Sequence, residues 1–506
     1  MIINTNNNEE EDDNMKKQAF NPYLPSYEYI PDGEPHVFGE RVYIYGSHDR
    51  FNGAEYCMND YVVWSAPIDD LSDWKYEGVI YTKTQDPYNN GSHPNTTRNC
   101  ENGIHYMYAP DVCQGPDGKY YLYYFFDNVS RVCVAVSDSP TGKFEFLGYV
   151  RDKDGSIVGE RDGDFVQFDP AVLVDTDNRV YLYTGNAPAA RQMKKIYTHN
   201  HSQVMELESD MLTVKKGPDL LLPDIDESVK EKVGFKGHEF FEASSIRKIG
   251  DIYYLVYSDV MGTNLCYATS KKPMEGFTYG GVIVSNGDVG LEGRTRKNPT
   301  AAIGNNHGGL CKINDKWYIF YHRQTNCHDH SRQGCAEEIV IKDDGCINQV
   351  EITSCGLNHG PLKGEGNYPS SIACALWNKK RANSFSFKML KPFFPYITMD
   401  GVDRENGENE QYIANIKNGF SCGFKYFVFD GLSKIAVEIR GKCKGKLQVT
   451  TDKEFKSPPI CEIKVDGTNL WKSFEGRAEN INGKYEIYIR FIGKGSLQIK
   501  AFNFIK

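Results

Sequence analysis

The sequence predicts an all-β protein with two domains, a five-bladed β-propeller followed by a β-sandwich. The first observation is the aromatic content, since 33 Tyr, 27 Phe and 5 Trp occur among 506 residues, and aromatic side chains suit the half-buried surface of strands. The second is a strand motif that recurs five times. The third is a change after about residue 385 to short alternating strands of the sandwich type, such as KIAVEIRG and GKYEIYIRFIG.

The recurring motif is a turn with Gly, Asp or Asn followed by an alternating, aromatic-rich strand. Its copies are VFGERVYIYGS, GPDGKYYLYYF, DTDNRVYLYTG, KIGDIYYLVYS and KINDKWYIFYH, and they align on Tyr43, Tyr121, Tyr181, Tyr254 and Tyr318. The intervals between these tyrosines are 78, 60, 73 and 64 residues. One sheet of about four strands accounts for each interval, so five copies predict five propeller blades.

One polar residue precedes each of these tyrosines by 10 to 12 residues, at the start of the preceding strand. The five residues are Asp32, Asp111, Asp169, Glu242 and His307. The first strand of each propeller blade lines the central channel, so these side chains are expected to converge there. Carboxylates placed together repel one another and raise each other's pKa, which a structural role alone rarely requires.

Converging carboxylates favour glycoside hydrolysis, in which one protonated acid donates to the leaving oxygen and one ionised acid activates water or attacks the sugar. A third acid can orient the first and hold its pKa up. Glu242 is the only glutamate of the set, and its longer reach and higher reference pKa make it the better donor.

The composition excludes several other classes. A net charge of −10 argues against a general nucleic-acid binder. The sequence contains no run of ~18 apolar residues, the length that a membrane-spanning helix needs. The polar, acidic start lacks the features of a secretory signal, so residues 1–18 are expected to be a disordered leader and the protein cytoplasmic, with secretion of a processed precursor as the alternative. The 14 cysteines contain no CxxC pair and are interpreted as free thiols in a reducing compartment.

The segments YIPDGEPHVFGERVYIYGSHD, MYAPDVCQGPDGKYYLYYF, FDPAVLVDTDNRVYLYTG, FFEASSIRKIGDIYYLVYS and NHGGLCKINDKWYIFYHR resemble glycoside hydrolase family 43 over roughly residues 20–380. The resemblance implies a five-bladed propeller that cleaves with inversion. By the same resemblance Asp32 is the general base, Asp169 the acid that tunes pKa and orientation, and Glu242 the general acid.

The resemblance also implies further site residues. Arg332 is expected to face the substrate, with His48, Asp111 and Phe241 as substrate-binding residues, Asp111 through a structural or pocket-shaping role. His307 matches a channel histidine that approaches a structural calcium ion or its water in several relatives. The hydrolysis itself needs no cofactor.

At two positions the sequence departs from the family pattern, which leaves a second candidate for the general base and for the general acid. Asp32 is followed by Gly33 instead of proline, which makes Glu34 a rival base, and Glu242-Ala243-Ser244 replaces Glu-Gly-Pro, with Glu239 as a rival acid. Three alternative functions also stay open: an endo-arabinanase, a retaining propeller glycosidase of the family 32 or 68 type, and a catalytically silent carbohydrate-binding propeller.

The predicted domains are a leader at 1–18, a propeller at 19–355, a linker at 356–384 and a β-sandwich at 385–506. The sandwich resembles a family 6-like carbohydrate-binding module, although the alternating Tyr412, Phe424 and Tyr426 suit its core better than a sugar platform. The predicted function is release of xylose or arabinofuranose from oligosaccharides of xylan or arabinoxylan by an inverting, exo-acting hydrolase. Its expected partner is a plant cell-wall oligosaccharide or polysaccharide, with the loop from Tyr81 to His105 as a pocket wall.

Overall fold

The computed structural model describes residues 18–90, 100–101, 104–189, 199–225, 234–327, 329–379, 382, 393–404 and 410–506. Within these ranges the chain forms five sheets in succession and then a larger sheet assembly. The fold is a five-bladed β-propeller followed by a β-sandwich, so the predicted fold class is confirmed. Residues 1–17 of the predicted leader and part of the 81–105 loop lie outside the described residues.

The propeller blades are antiparallel sheets, four-stranded in blades 1 to 4 and three-stranded in blade 5 within the described residues. The strands of blades 1 and 2 are Glu34–Phe38, Arg41–Tyr45, Tyr61–Pro67 and Lys75–Tyr81, then Met107–Gln114, Tyr120–Phe126, Cys133–Ser137 and Glu145–Tyr149. Those of blades 3 and 4 are Ala171–Val174, Val180–Asn186, His201–Leu207 and Val214–Leu220, then Phe240–Ile249, Ile252–Asp259, Asn264–Ser270 and Thr278–Ser285. Blade 5 consists of Leu310–Ile313, Lys316–Gln324 and Arg332–Ile339.

Short elements connect the blades. The 3-10 helices Lys83–Gln85 and Pro87–Asn89 and a hairpin of Cys100–Glu101 with Ile104–His105 lie between blades 1 and 2. Two further 3-10 helices, Asn286–Asp288 and Leu291–Gly293, lie between blades 4 and 5.

The five tyrosines of the repeat all lie in the second strand of their blades and are all buried. Each belongs to a different apolar cluster between consecutive blades. Tyr43 packs between blades 1 and 2, Tyr121 between 2 and 3, and Tyr181 between 3 and 4. Tyr254 packs between blades 4 and 5, and Tyr318 between blades 5 and 1. Because strand side chains alternate between faces, one motif repeated at one register supplies an equivalent interface around the whole ring.

The N-terminal segment completes the ring beside blade 5. The amide of Tyr23 donates to the carbonyl of Gly334 at 3.4 Å. The Asn21 side chain donates to the Ala336 carbonyl at 3.0 Å and accepts from its amide at 2.9 Å. The free edge of the last strand, Arg332–Ile339, is thereby covered, which removes an exposed strand edge.

The sandwich is organised around one long strand, Asn482–Ile505, which runs through both of its layers. The first half pairs with Ser421–Asp430 and Cys443–Thr450, and the second half with Lys434–Arg440 and Gln411–Lys417. The remaining strands are Tyr396–Met399, Cys461–Asp466 and Lys472–Arg477. Phe424 and Tyr412 are buried in this domain, whereas Tyr426 contacts Glu351 of the propeller.

The segment 356–384 differs from the predicted linker. Leu362–Lys363, Gly366–Pro369 and Ala375–Trp377 are strands that pair with sandwich strands, and Ser370–Ile372 forms a 3-10 helix between them. Its many Gly, Pro and Asn residues break the strands into pieces too short to show an alternating pattern. This part of the segment is therefore built into the sandwich.

The two domains are joined by a buried charge cluster as well as by the chain. Lys425 of the sandwich lies 3.3 Å from Asp288 and 2.8 Å from Glu351 of the propeller, measured between Nζ and the carboxylate oxygens. The cysteines recorded among the described residues are free and mostly buried. None of the helices in the described ranges is long and apolar enough to cross a membrane.

Candidate active site

The three candidate catalytic acids lie at the start of the innermost strands of blades 1, 3 and 4. Asp32 and Asp169 have left-handed backbones, with φ of 55° and 47°, and so has Ala243, directly after Glu242, with φ of 68°. Aspartate tolerates this region better than most residues, but alanine does not. Such backbone strain costs about 1–3 kcal/mol per residue and is concentrated at functional sites.

A cavity of about 490 Å³ opens at this end of the propeller. Six of the residues singled out from the sequence line it: Asp32, Asp169, Phe241, Glu242, His307 and Arg332. Four of the five residues that the spacing of the repeat singled out, Asp32, Asp169, Glu242 and His307, therefore meet in one pocket, whereas blade 2 contributes Tyr108 in place of Asp111. The volume of the pocket is within the range of small-molecule sites.

Asp32 is held as a carboxylate. Arg332 donates from Nη1 to its Oδ1 at 2.9 Å, and His322 Nδ1 lies 3.2 Å from the same oxygen. Burial would raise the pKa of Asp32, but the positive charge of Arg332, with the neighbouring His322 ring, outweighs it and holds that pKa well below its usual range. An ionised aspartate at the pocket wall can accept a proton from water.

Glu242 is held in the opposite protonation state. Burial and the negative charge of Asp32 raise its pKa to about 8, against the lowering effect of Arg332. Asn186 donates from Nδ2 to Oε2 of Glu242 at 3.0 Å, which also favours the charged form. At neutral pH Glu242 is therefore mainly protonated and can donate a proton.

Asp169 is hydrogen-bonded to the backbone beside Glu242. Its Oδ2 accepts the amide hydrogen of Ala243 at 2.9 Å, so it fixes the backbone next to Glu242. Burial and the nearby charges of Glu242 and Asp32 raise the pKa of Asp169 well above its usual value. The contact gives Asp169 a direct means of orienting Glu242.

His307 lines the cavity close to Asp169 and Glu34. Its Nδ1 is 3.7 Å from Asp169 Oδ2 and its Nε2 is 3.9 Å from Glu34 Oε1. Burial lowers the pKa of His307 to about 4, so the ring is neutral at physiological pH. Glu34 Oε1 is buried and has no hydrogen-bond partner among the described residues. This orphaned oxygen beside His307 fits a cation or an ordered water.

The residues next to His307 offer few ligands for the calcium ion expected there. Ca²⁺ prefers six to eight oxygen ligands, and the oxygens next to His307 belong to Glu34 and Asp169. Glu34 already pairs with Arg247 at 2.9 Å, and Asp169 accepts the Ala243 amide. An ion held here would be coordinated largely by water.

The two rival acids do not line the cavity. Glu34 is buried beside Arg247 and Ser245, which donates to it at 3.0 Å, and burial raises its pKa to about 7. Glu239 accepts the amide of Gly237 on both oxygens, at 2.9 and 3.0 Å. The geometry favours Asp32 and Glu242, the residues chosen from the distance to the repeat.

Two residues expected to bind substrate lie elsewhere. Asp111 is buried below the cavity, where it contacts His36 Nε2 at 2.7 Å and accepts the amide of Val172 at 2.8 Å. His48 is buried between Glu28 and the Asp60 carbonyl, at 3.0 and 2.7 Å. Both are polar residues that fix neighbouring backbone, and counting along the chain could not separate that role from a place in the pocket.

Several pocket residues were not identified from the sequence. They come from strands and from the connections between them and include Tyr56, Tyr108, Asp127, Phe168, Asn186 and Arg296. Asn186 ends the second strand of blade 3, at the same end as the acids, so its place in the repeat was the one signal that could have found it. Tyr108 lies in the first strand of blade 2, and the others lie in loops of variable length, where the repeat gives no register.

The model of the family "Glycosyl hydrolases family 43" matches residues 29–347. A xylosidase/arabinosidase of Thermoclostridium stercorarium is 49% identical over 491 residues, covering 96% of this chain and 99% of that protein. An arabinoxylan arabinofuranohydrolase of Paenibacillus polymyxa is 24% identical over 514 residues, covering 94% of this chain and 72% of that protein.

Among solved structures, an arabinoxylan arabinofuranohydrolase of family 43 from Bacillus subtilis, in complex with cellotetraose, is similar to this chain. The TM-score is 0.49 at 20% identity, with 96% of this chain and 97% of that chain covered. An α-L-arabinofuranosidase from Clostridium thermocellum has a TM-score of 0.45 at 27% identity, with 66% and 97% covered.

Proposed function

The protein belongs to glycosyl hydrolase family 43, and we propose that it releases single xylose or arabinofuranose units from xylan- or arabinoxylan-derived oligosaccharides with inversion at the anomeric carbon. The observation that carries this proposal is the pairing of an ionised Asp32 with a protonated Glu242 in one cavity. Two carboxyl groups whose surroundings separate their pKa values in this way are suited to serve as base and acid.

Hydrolysis at this site takes a single displacement. Asp32 accepts a proton from a water molecule as the water oxygen bonds to the anomeric carbon. The bond from that carbon to the leaving oxygen breaks at the same time, and Glu242 gives its proton to the leaving oxygen. The step ends with Asp32 protonated and Glu242 ionised, and exchange with solvent restores both.

The other pocket residues support these two. Arg332 keeps Asp32 charged, and Asp169 fixes the backbone beside Glu242. Phe241 and Tyr56 line the cavity as aromatic surfaces, which suit the apolar faces of sugar rings. Calcium near His307 stays a proposal, and when bound it would add positive charge below the acids without entering the displacement.

The names of the relatives support the choice of substrate. The relative at 49% identity over nearly the whole chain is named a xylosidase/arabinosidase, and the Paenibacillus polymyxa relative acts on arabinoxylan by its name. Xylose and arabinofuranose present similar hydroxyl groups, so we propose both as leaving sugars. An endo-acting enzyme would release longer products than monosaccharides, and a retaining enzyme would release a product with the anomeric configuration of the substrate.

The test is sugar release from arabinoxylan oligosaccharides, with the product anomer followed by NMR. We expect the wild type to release monosaccharides whose first-formed anomer is inverted. Glu242→Gln cannot donate a proton, and we expect at least a ~10³-fold loss of kcat, in line with the upper part of the range for acid–base groups. On nitrophenyl glycosides, whose leaving group needs less protonation, the loss should be smaller.

The matched controls are Glu239→Gln and Glu34→Gln, each at a rival position outside the cavity. Both should keep far more activity than Glu242→Gln and Asp32→Asn. A retained anomer would indicate a covalent intermediate, and activity equal in wild type and Glu242→Gln would show that Glu242 is not the acid. No turnover by the wild type on any of these substrates would overturn the hydrolase assignment.

A further inference from the structure

Residues 396–404 of the sandwich, here named the bridging segment, lie against residues 49–59 of blade 1, here named the clamp loop. Asp403 makes the main polar contact. Its Oδ1 accepts the amide hydrogen of Phe51 at 2.7 Å, and its Oδ2 accepts a hydrogen from Asn59 Nδ2 at 3.0 Å. One carboxylate from the sandwich therefore ties two separate points of the clamp loop together.

Apolar and backbone contacts reinforce this junction. Met399 of the bridging segment packs with Tyr29 and Phe51, whose rings stack at 5.4 Å between centroids. The amide of Asn326 donates to the carbonyl of Ile397 at 2.8 Å. The junction is thus an ordered interface between the two domains, with polar groups paired around a small apolar cluster.

The clamp loop in turn holds Arg332 of blade 5. Asp49 is fully buried and accepts hydrogens from the Arg332 amide, Nε and Nη2 at 3.0, 2.9 and 3.0 Å. The amide of Cys57 donates to the same carboxylate at 3.0 Å. The Tyr56 ring lies 4.9 Å from the guanidinium carbon. Three residues of one loop therefore surround the arginine that contacts Asp32.

We propose that the sandwich is part of the catalytic unit, and that Asp403 is a positioning residue that fixes the clamp loop and so holds Arg332 in register with Asp32. The inference rests on the proposed function, because it concerns how well the proposed base is aligned. It also gives the second domain a role that requires no sugar binding by that domain.

The physical reason lies in the donors that Asp403 satisfies. Without this carboxylate, the Phe51 amide and the Asn59 side chain lose their acceptor, and Asn59 also donates to the Asp49 carbonyl at 3.1 Å. The loop can then relax, and Asp49 and Arg332 move with it. A displacement of about 1 Å at a reacting group can cost ~10²-fold in rate.

The test compares Asp403→Ala with Asp400→Ala in the full-length protein. Asp400 is a matched control in the same segment, because its carboxylate binds Arg440 and Tyr412 within the sandwich, at 2.7 and 2.8 Å. We expect Asp403→Ala to lower kcat/KM by about 10- to 100-fold, mainly through kcat. We expect Asp400→Ala to stay within about threefold of wild type, at a comparable change in Tm.

The split between kcat and KM supplies a readout that a merely structural role would not move. A change that misaligns a group needed only in the transition state lowers kcat and kcat/KM together and leaves KM unchanged. Asp403 does not line the cavity, so we expect the KM of Asp403→Ala to stay close to that of wild type while kcat falls. In Asp400→Ala both parameters should stay close to wild type.

A double-mutant cycle with Asp49→Asn completes the design. If both residues act through Arg332, the loss in the double variant is smaller than the product of the two single losses. Should Asp403→Ala fail to fold, Asp403→Asn takes its place, because it keeps the shape and removes one acceptor. Multiplicative losses, or a kcat like that of Asp400→Ala, would overturn the positioning role. An inactive wild type would instead overturn the proposed function.

Discussion

Asn186 offers the sharpest test of how the pocket sets the protonation of its acid. Its side-chain amide donates to Oε2 of Glu242 at 3.0 Å, and this contact stabilises the carboxylate. Asn186→Ala removes the donor and leaves the carboxyl group in place. The charged form of Glu242 then becomes less stable, so its pKa must rise from about 8.

The size of the change follows from the hydrogen bond. A hydrogen bond to a charged group contributes about 1.5 kcal/mol at the lower end of its range, and one pKa unit corresponds to ~1.4 kcal/mol. Full loss would raise the pKa by about one unit. Glu242 is partly accessible, and water entering the vacated space restores part of the interaction, so we expect a rise of roughly 0.5 to 1 unit.

The assay is the pH dependence of kcat/KM on an oligosaccharide substrate. Activity requires protonated Glu242, so the basic limb should move to higher pH by that amount in Asn186→Ala. Because Asp169 and Glu242 influence each other, the limb belongs to the pair. Asn128→Ala is the control, since Asn128 lines the same cavity but donates to Asp127 at 2.9 Å. A basic limb that stays in place or moves to lower pH would refute the reasoning.

Two further predictions concern buried charges. Arg332→Lys keeps a cation but cannot bind Asp49 and Asp32 together as the planar guanidinium does, so the acid limb of kcat/KM should move to higher pH, and a profile that coincides with wild type would contradict this. Lys425→Met leaves Asp288 buried without its cation, so we expect the free energy of unfolding to fall by about 3–5 kcal/mol. Denaturant titration measures this change. Lys434→Met, which removes one partner of an exposed pair with Glu475, should change the free energy of unfolding by less than ~1 kcal/mol.

The strand repeat made the propeller predictable from the sequence. Tyr43 and its four counterparts recur because each fills an equivalent space between blades, so their spacing records the blade count. The same register located Asp32, Asp169 and Glu242, which begin equivalent innermost strands. Because the blades repeat, the position of the motif in one blade predicts the equivalent positions in the other blades.

Residues outside that register were not predictable in the same way. Asp111 precedes its tyrosine by nearly the same number of residues as Asp32, but its carboxylate contacts His36 and the backbone of blade 3. Asn186 and Tyr56 reach the pocket from the ends of strands and from loops, whose path depends on packing between distant segments. The short strands of 356–384 are too short to show an alternating pattern. They form by pairing with strands more than forty residues away, which the local sequence does not indicate.

The two halves of the proposed chemistry depend on each other electrostatically. Arg332 keeps Asp32 ionised, and the negative charge of Asp32 is one of the causes that raise the pKa of Glu242. Arg332 acts directly on Glu242 in the opposite sense and lowers the pKa of Glu242. The positive charge of Arg332 must therefore cancel only part of the negative charge of Asp32. A full positive charge next to Glu242 would ionise the acid, and a neutral Asp32 would leave no base. The position of Arg332, shared between Asp49 and Asp32, divides its charge between two carboxylates and so permits both conditions at one pH.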